Sequence, residues 1–198
     1  MKELGSAVIL AGGRSSRMGF DKQMLKMQNK RIIDLLIPML RTRFDDIMVS
    51  SRMPELYKLG EVRVIQDVFP DMGPLGGIHS ALINAESRSV FTVACDMPFL
   101  ELPYIDYMMS LLEGGEYDAC VTLRKDRIEP FHAFYCRSGL PVLEEDLSQG
   151  KGSIFYYTRK IRTLMIREDD AAPFLPGWRA FTNLNTREEY ERFRADGA

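Results

Sequence analysis

Residues 7–22 read Ala7-Val-Ile-Leu-Ala-Gly-Gly-Arg-Ser-Ser-Arg-Met-Gly-Phe-Asp-Lys22, a short apolar run that passes straight into glycines, serines and cations. A continuous apolar run ending on glycine suits a strand covered on both faces of a sheet. The stretch from Gly12 to Gly19 then offers a backbone that can approach a ligand closely, with N–H groups free to hold oxyanions. It is neither a Walker loop nor a dinucleotide loop, because GxxxxGK[ST] and GxGxxG are both absent. Instead Arg14, Arg17 and Lys22 gather three cations in one loop. That arrangement suits a triphosphate, whose charge must be neutralised before another anion can attack it. The alternative is an ordinary surface loop with solvated charges; the buried strand directly before it favours the ligand.

Working outward, apolar and turn signals alternate. Ile32, Ile33, Leu36, Ile37 and Leu40 fall at helical spacing, with Pro38 as a point of kinking or delay. Residues 47–49 and 62–66 read as strands, with a short helix over 54–59 closed by Gly60. A Pro/Gly loop leads into a helix over 76–85. Residues 90–94 (VFTVA) form a fourth, strongly apolar strand, and Pro103 opens a helix over 104–112. Strands alternating with helices read as βαβ units in a mainly parallel sheet. The second half is less regular. Strands are expected over 118–123 and 130–135 around a polar turn, a helix over 140–147, and an edge strand over 161–166. Thr186 with Glu189 three residues on is a capping-box pattern that introduces a final helix. No repeat, low-complexity segment or linker divides the chain, so residues 1–198 read as one domain.

The composition fits a soluble globular protein. Of 198 residues, 26 are basic and 28 acidic, for a net charge of −2, and 45% are hydrophobic. At this length about 70% of the unfolded surface is buried on folding, enough for a core without staples. The small net charge excludes a broad duplex nucleic-acid surface. No apolar run approaches a membrane span, and the N-terminus lacks a signal-peptide core, so a cytoplasmic location is expected. Cys95, Cys120 and Cys136 include no CxxC pair, which argues for buried apolar thiols. His79 and His132 are too few for a histidine metal cluster, and neither is assigned a part in the chemistry. The segment Glu129-Pro-Phe-His-Ala-Phe-Tyr135 is a strand that approaches the acceptor site in this reading.

In open α/β sheets ligands bind at the carboxyl ends of strands. Three clusters fall there: 10–22, 67–77 and 95–98. Asp96 directly follows the most apolar strand. It caps a turn, or it binds Mg²⁺, which is commonly held by one or two carboxylates plus substrate phosphates. Asp67 could accept from a base edge or a ribose, and Asp71 reads as a turn residue.

LAGGRSSRMGFDK, GPLGG, CDMP and NLNTREE, in this order and at these spacings, resemble the molybdenum cofactor guanylyltransferases. These enzymes belong to a wider nucleotidyltransferase group that opens on an LAGG or LAAG loop followed by RMG and lysine. The match runs from about residue 7 to 191, with little signature over 137–180. The resemblance implies a Rossmann-like three-layer αβα nucleotidyltransferase fold with a mainly parallel, mixed sheet. It implies that Leu10, Ala11 and Gly12 contact the nucleotide, that Gly13 and Arg17 line the phosphate path, and that Lys22 binds the phosphates. Asp67 would contact the nucleoside, Asp96 would bind Mg²⁺, and Asn183 and Asn185 would shape the acceptor side. Where the family often has a nucleotide-contacting Asn, this chain has Ser50, of smaller reach. Where the tail usually reads NTPEE, Arg187 replaces the proline, which touches the helix start more than the chemistry.

The implied reaction joins GTP to the terminal phosphate of molybdenum-bearing molybdopterin and releases pyrophosphate. Its partners would be GTP, the pterin and other cofactor-biosynthesis or delivery proteins, without nucleic acid or membrane. Two rivals stand beside it. One is a sister enzyme using the same phosphate machinery, a cytidylyltransferase on the same pterin or a sugar-phosphate enzyme. The other is a non-catalytic nucleotide-binding module that delivers cofactor.

Overall fold

A computed structural model describes residues 2–12, 21–57, 60 and 62–195. In chain order its strands are β1 (Lys2–Leu10), β2 (Lys26–Met27), β3 (Lys30–Arg31), β4 (Asp46–Ser50), β5 (Arg63–Ile65), β6 (Ser87–Ala94), β7 (Ala119–Arg124), β8 (Arg127–Cys136) and β9 (Thr163–Arg167). The helices are α1 (Ile32–Leu40), α2 (Pro74–Asn84), α3 (Leu102–Leu112), α4 (Leu140–Ser148), α5 (Ile154–Thr158), α6 (Glu168–Ala171) and α7 (Arg187–Ala195). The described residues form a seven-stranded sheet in the order β5-β4-β1-β6-β8-β7-β9, plus a small β2-β3 ribbon. β1 runs parallel to β4 and β6, and β4 to β5. β8 alone is reversed, antiparallel to both β6 and β7, while β9 runs parallel to β7. The mainly parallel, mixed sheet expected from the alternation is therefore present, with β9 as the edge strand.

The strand period explains the layers. Side chains of a strand alternate between faces, and here the two sets enter separate cores. Ala7, Ile9, Ile47, Val49, Phe91 and Val93 pack with α1 and α3. Val8, Met48 and Val90 pack with α2, α4 and α5 on the other face. α1 buries the five apolar residues that its spacing marks, and Pro38 sits on its exposed side without delaying it. The three cysteines are buried and free. α7 begins on the expected capping box: Glu189 N–H donates to Thr186 Oγ1 (3.1 Å) and Thr186 N–H donates to Glu189 Oε2 (2.9 Å). Among the described residues no helix is long and apolar enough to cross a membrane.

The structure departs from the sequence reading at several points, two of them near the site. The helix expected over 54–59 is a 3₁₀ turn at Pro54–Leu56, and residues 58 and 59 lie outside the described residues. The β2-β3 ribbon has two-residue strands, too short for any alternation; its turn places Gln28 and Asn29 at positive φ. His132, assigned no part in the chemistry, sits in the interior. Its ring is fully buried, and burial lowers its pKa to about 3.

Candidate active site

The chain leaves β1 for β4 and β5 on one side, then returns to β6 on the other. This reversal puts a switch point at the carboxyl end of β1, where an open α/β sheet offers a crevice. A cavity of about 540 Å³ opens there. The strand ends that form it are tied together by main-chain bonds: Ala11 N–H donates to Ser50 O (2.9 Å), and Cys95 N–H donates to Leu10 O (3.1 Å).

On the β4-β5 side, Leu10, Ala11, Gly12, Ser50 and Asp67 line the cavity together. The Ser50 hydroxyl donates to Asp67 Oδ1 (2.8 Å), which fixes that carboxylate and leaves its second oxygen for other donors. The start of α2 forms the floor. A Cβ on Gly76 would meet Phe69 O at 2.6 Å, and one on Gly77 would meet Leu10 Cδ2 at 2.8 Å. Gly76 is therefore required where α2 passes the main chain at Phe69, and Gly77 lets the helix approach the Leu10 side chain at the end of β1.

Lys22 opens a 3₁₀ turn, Lys22–Met24, capped by Asp21, whose Oδ1 accepts from Gln23 N–H (2.9 Å). Gln23 is buried, and its Oε1 accepts from Ser51 Oγ and Tyr57 OH, both at 2.7 Å. The turn is thereby anchored under the site. From it, Lys22 Nζ donates to Asp96 Oδ2 (2.6 Å) and Asn185 Oδ1 (2.8 Å). Leu184 N–H donates to the main-chain oxygen of Asp96 (3.0 Å), which brings the NLNT segment to the end of β6. Asn183 lines the same cavity, its amide donating to Phe181 O (3.2 Å). Three motifs far apart in the chain meet in this cluster. Next to it, burial pushes the Cys95 thiol well above its ordinary value, so it stays protonated and chemically quiet.

The structure thus gathers Leu10, Ala11, Gly12, Lys22, Ser50, Asp67, Asp96, Asn183 and Asn185 around one cavity. Gly13, Arg14 and Arg17 lie outside the described residues. The sequence reading missed several lining residues. Arg52 and Asp71 form an ion pair (3.0 Å) on the rim. Arg52's place two residues beyond a strand end was a usable signal. Met97, Glu129, Pro130 and Phe131 also line the cavity. The last three belong to the 129–135 segment that was expected to approach the acceptor side, and the reversed direction of β8 is what brings them there.

Among the described residues no group of three or more His, Cys, Asp or Glu could hold a metal. The single carboxylate of Asp96 does fit an Mg²⁺ ion whose remaining ligands are substrate phosphates and water. It does not fit a metal held wholly by protein.

A family model described as the MobA-like NTP transferase domain matches residues 7–164. A molybdenum cofactor guanylyltransferase from Syntrophotalea carbinolica is 46% identical over 195 residues, covering 98% of this chain and 93% of its own length. A "Probable molybdenum cofactor guanylyltransferase" from Peptoclostridium acidaminophilum is 42% identical, covering 97% of this chain and 89% of its own. Among solved structures, molybdopterin-guanine dinucleotide biosynthesis protein A from Archaeoglobus fulgidus superposes with a TM-score of 0.84 at 24% identity, over 94% of this chain and 95% of that one. The 2-C-methyl-D-erythritol 4-phosphate cytidylyltransferase of Thermus thermophilus also matches, with a TM-score of 0.70 at 12% identity over 98% of both chains. The same fold thus carries different bases and acceptors, and fold alone does not assign either.

Proposed function

The chain belongs to the MobA-like NTP transferase family, and from that premise we propose that it transfers GMP from GTP to the terminal phosphate of molybdenum-bearing molybdopterin, releasing pyrophosphate. The observation that carries this reading is the meeting of Lys22, Asp96 and Asn185 at one end of the cavity. They come from three of the four motifs that the resemblance joins.

The chemistry needs no protein nucleophile. A pterin phosphate oxygen attacks the α-phosphorus of GTP, a new P–O bond forms, and the bond to the β-phosphate breaks. The attacking phosphate is already ionised, so no general base is required. Leu10, Ala11, Gly12, Ser50 and Asp67 would hold the nucleoside. Lys22 would donate to the phosphate oxygens, with Gly13 and Arg17 along the same path, and so offset charge that grows on the leaving pyrophosphate. Asp96 would hold Mg²⁺, which supplies Lewis-acid stabilisation of phosphoryl charge when bound. Asn183 and Asn185 would border the acceptor. In this reading residues 1–198 act as one nucleotidyltransferase domain.

The test is pyrophosphate release from the purified protein with molybdenum-loaded molybdopterin, comparing GTP with CTP and Mg²⁺ with a chelator. Release with GTP and Mg²⁺ is expected. A preference for CTP overturns the guanylyl assignment, activity in chelator overturns the metal assignment, and nucleotide binding without turnover leaves a delivery module.

A further inference from the structure

β6 and β8 pair only over Ser89–Thr92 with Ala133–Cys136, so the ladder stops before the carboxyl end of β6. The break falls at His132, whose φ of 57° lies in the left-handed region that non-glycine residues seldom enter. Its surroundings hold it there. His132 Nε2 accepts from Glu101 N–H (3.2 Å), and the ring stands edge-on to Phe91 at 5.1 Å. Beyond this break, Glu129, Pro130 and Phe131 leave β6 and join the cavity wall.

Glu129 is half-buried, and its carboxylate makes no hydrogen bond or ion pair among the described residues. Burial raises its carboxyl above the usual carboxylate range, with the charge of Arg124 opposing. An acceptor-only group taken from water without a donor is costly, unless a ligand brings the donors. Strand order says which ligand. Along the carboxyl edge stand Asp67 after β5, Ser50 at the end of β4, Gly12 after β1, Asp96 after β6, and then Glu129 on β8. With the nucleoside at the Asp67 end and phosphates at Lys22 and Asp96, the acceptor's ring falls against β8. A pterin presents a ring N–H and an adjacent amino group side by side, two donors that one carboxylate takes in a bidentate pair. Pro130 and Phe131 supply the apolar wall that a flat ring needs.

We propose that Glu129 is a specificity-determining residue for the acceptor, its carboxylate accepting from the paired ring N–H and amino group of the pterin, with Phe131 beside the ring. This rests on the reaction proposed above, since it takes the acceptor to be a pterin. The test compares wild type, Glu129→Gln and Phe131→Ala. Expected is a rise of about 10- to 100-fold in KM for molybdenum-loaded molybdopterin in Glu129→Gln, a smaller rise in Phe131→Ala, and unchanged GTP affinity in both. An unchanged acceptor KM in Glu129→Gln overturns the proposal. So does an equal loss of GTP affinity, which would move the carboxylate to the nucleotide. Fluorescence titration with free 6-hydroxymethylpterin gives a readout without turnover: weaker binding to Glu129→Gln is expected, and equal binding overturns it. Failure of the wild type to transfer GMP to the pterin sinks the reaction itself, and is seen before any variant is compared.

Discussion

Asp46 and Asp96 lie at opposite edges of the same sheet, each 6% exposed and each 2.6 Å from a cation, Arg63 and Lys22. Their surroundings differ in one respect. Both oxygens of Asp46 are in use: Oδ1 accepts from Arg63 Nε and Nη2, and Oδ2 from Ser6 Oγ and Glu86 N–H. The Asp96 carboxylate accepts only from Lys22, through Oδ2, among the described residues. Asp118, at the same edge as Asp46, follows the saturated pattern. Burial alone would raise its carboxyl, but hydrogen bonds led by those from Arg162 hold it below the usual range. Partner count, not burial, separates a carboxylate that ties strands together from one with capacity left for a ligand.

The sharpest way to break this comparison is to neutralise each aspartate in turn. Asp96→Asn is expected to lower kcat for GMP transfer by about 10³-fold or more, at an unchanged unfolding midpoint. Near-normal turnover would put Asp96 with the structural carboxylates. Asp46→Ala is expected to do the reverse. It should cost about 3 kcal/mol of stability, because Ser6, Arg63 and the Glu86 amide lose their common acceptor while Arg63 keeps some access to water. That corresponds to roughly 6–12 °C in Tm by calorimetry, with GTP affinity retained in the folded protein.

A buried base adds a pH dependence of its own. His132 is held neutral, with a folded pKa of about 3 against 6.5 in the unfolded chain. Below pH 6.5 the unfolded state binds the extra proton. The contribution is therefore full above pH 6.5 and is lost as pH falls toward 3, at about 1.4 kcal/mol per pH unit. Urea unfolding of wild type between pH 6.5 and 5 is expected to show this slope, and His132→Asn, which tolerates positive φ, to flatten it. The smallest effect expected is that of Lys22→Ala, a loss of about tenfold in GTP affinity measured by titration calorimetry. Unchanged affinity would mean that Lys22 serves only to hold Asp96 and Asn185 together.

Much of this fold was legible because its signals are local. The apolar run at Ala7–Leu10, the turn signal of GPLGG and the Thr186–Glu189 box can each be read from a few neighbouring residues. The loop cations Arg14 and Arg17 were legible by composition alone, and lie outside the described residues. The β2-β3 ribbon was illegible because two-residue strands carry no period. For Glu129 only the approach of its segment to the site was legible, not a role for its carboxylate, and the reason is different. Its place in the cavity follows from the reversal of β8 and the break at His132, and strand direction is set by pairing with distant residues.

Sequence by itself determined which segments become buried strands, which turn needs glycine, and where a loop gathers positive charge, since each follows from side-chain size, polarity and spacing along a short piece of chain. Only the tertiary structure decided which carboxylates keep capacity for a ligand. Hydrogen-bond saturation is a sum over partners brought together from far along the chain. Lys22 reaches Asp96 across 74 residues and Asn185 across 163, and no local pattern carries that sum.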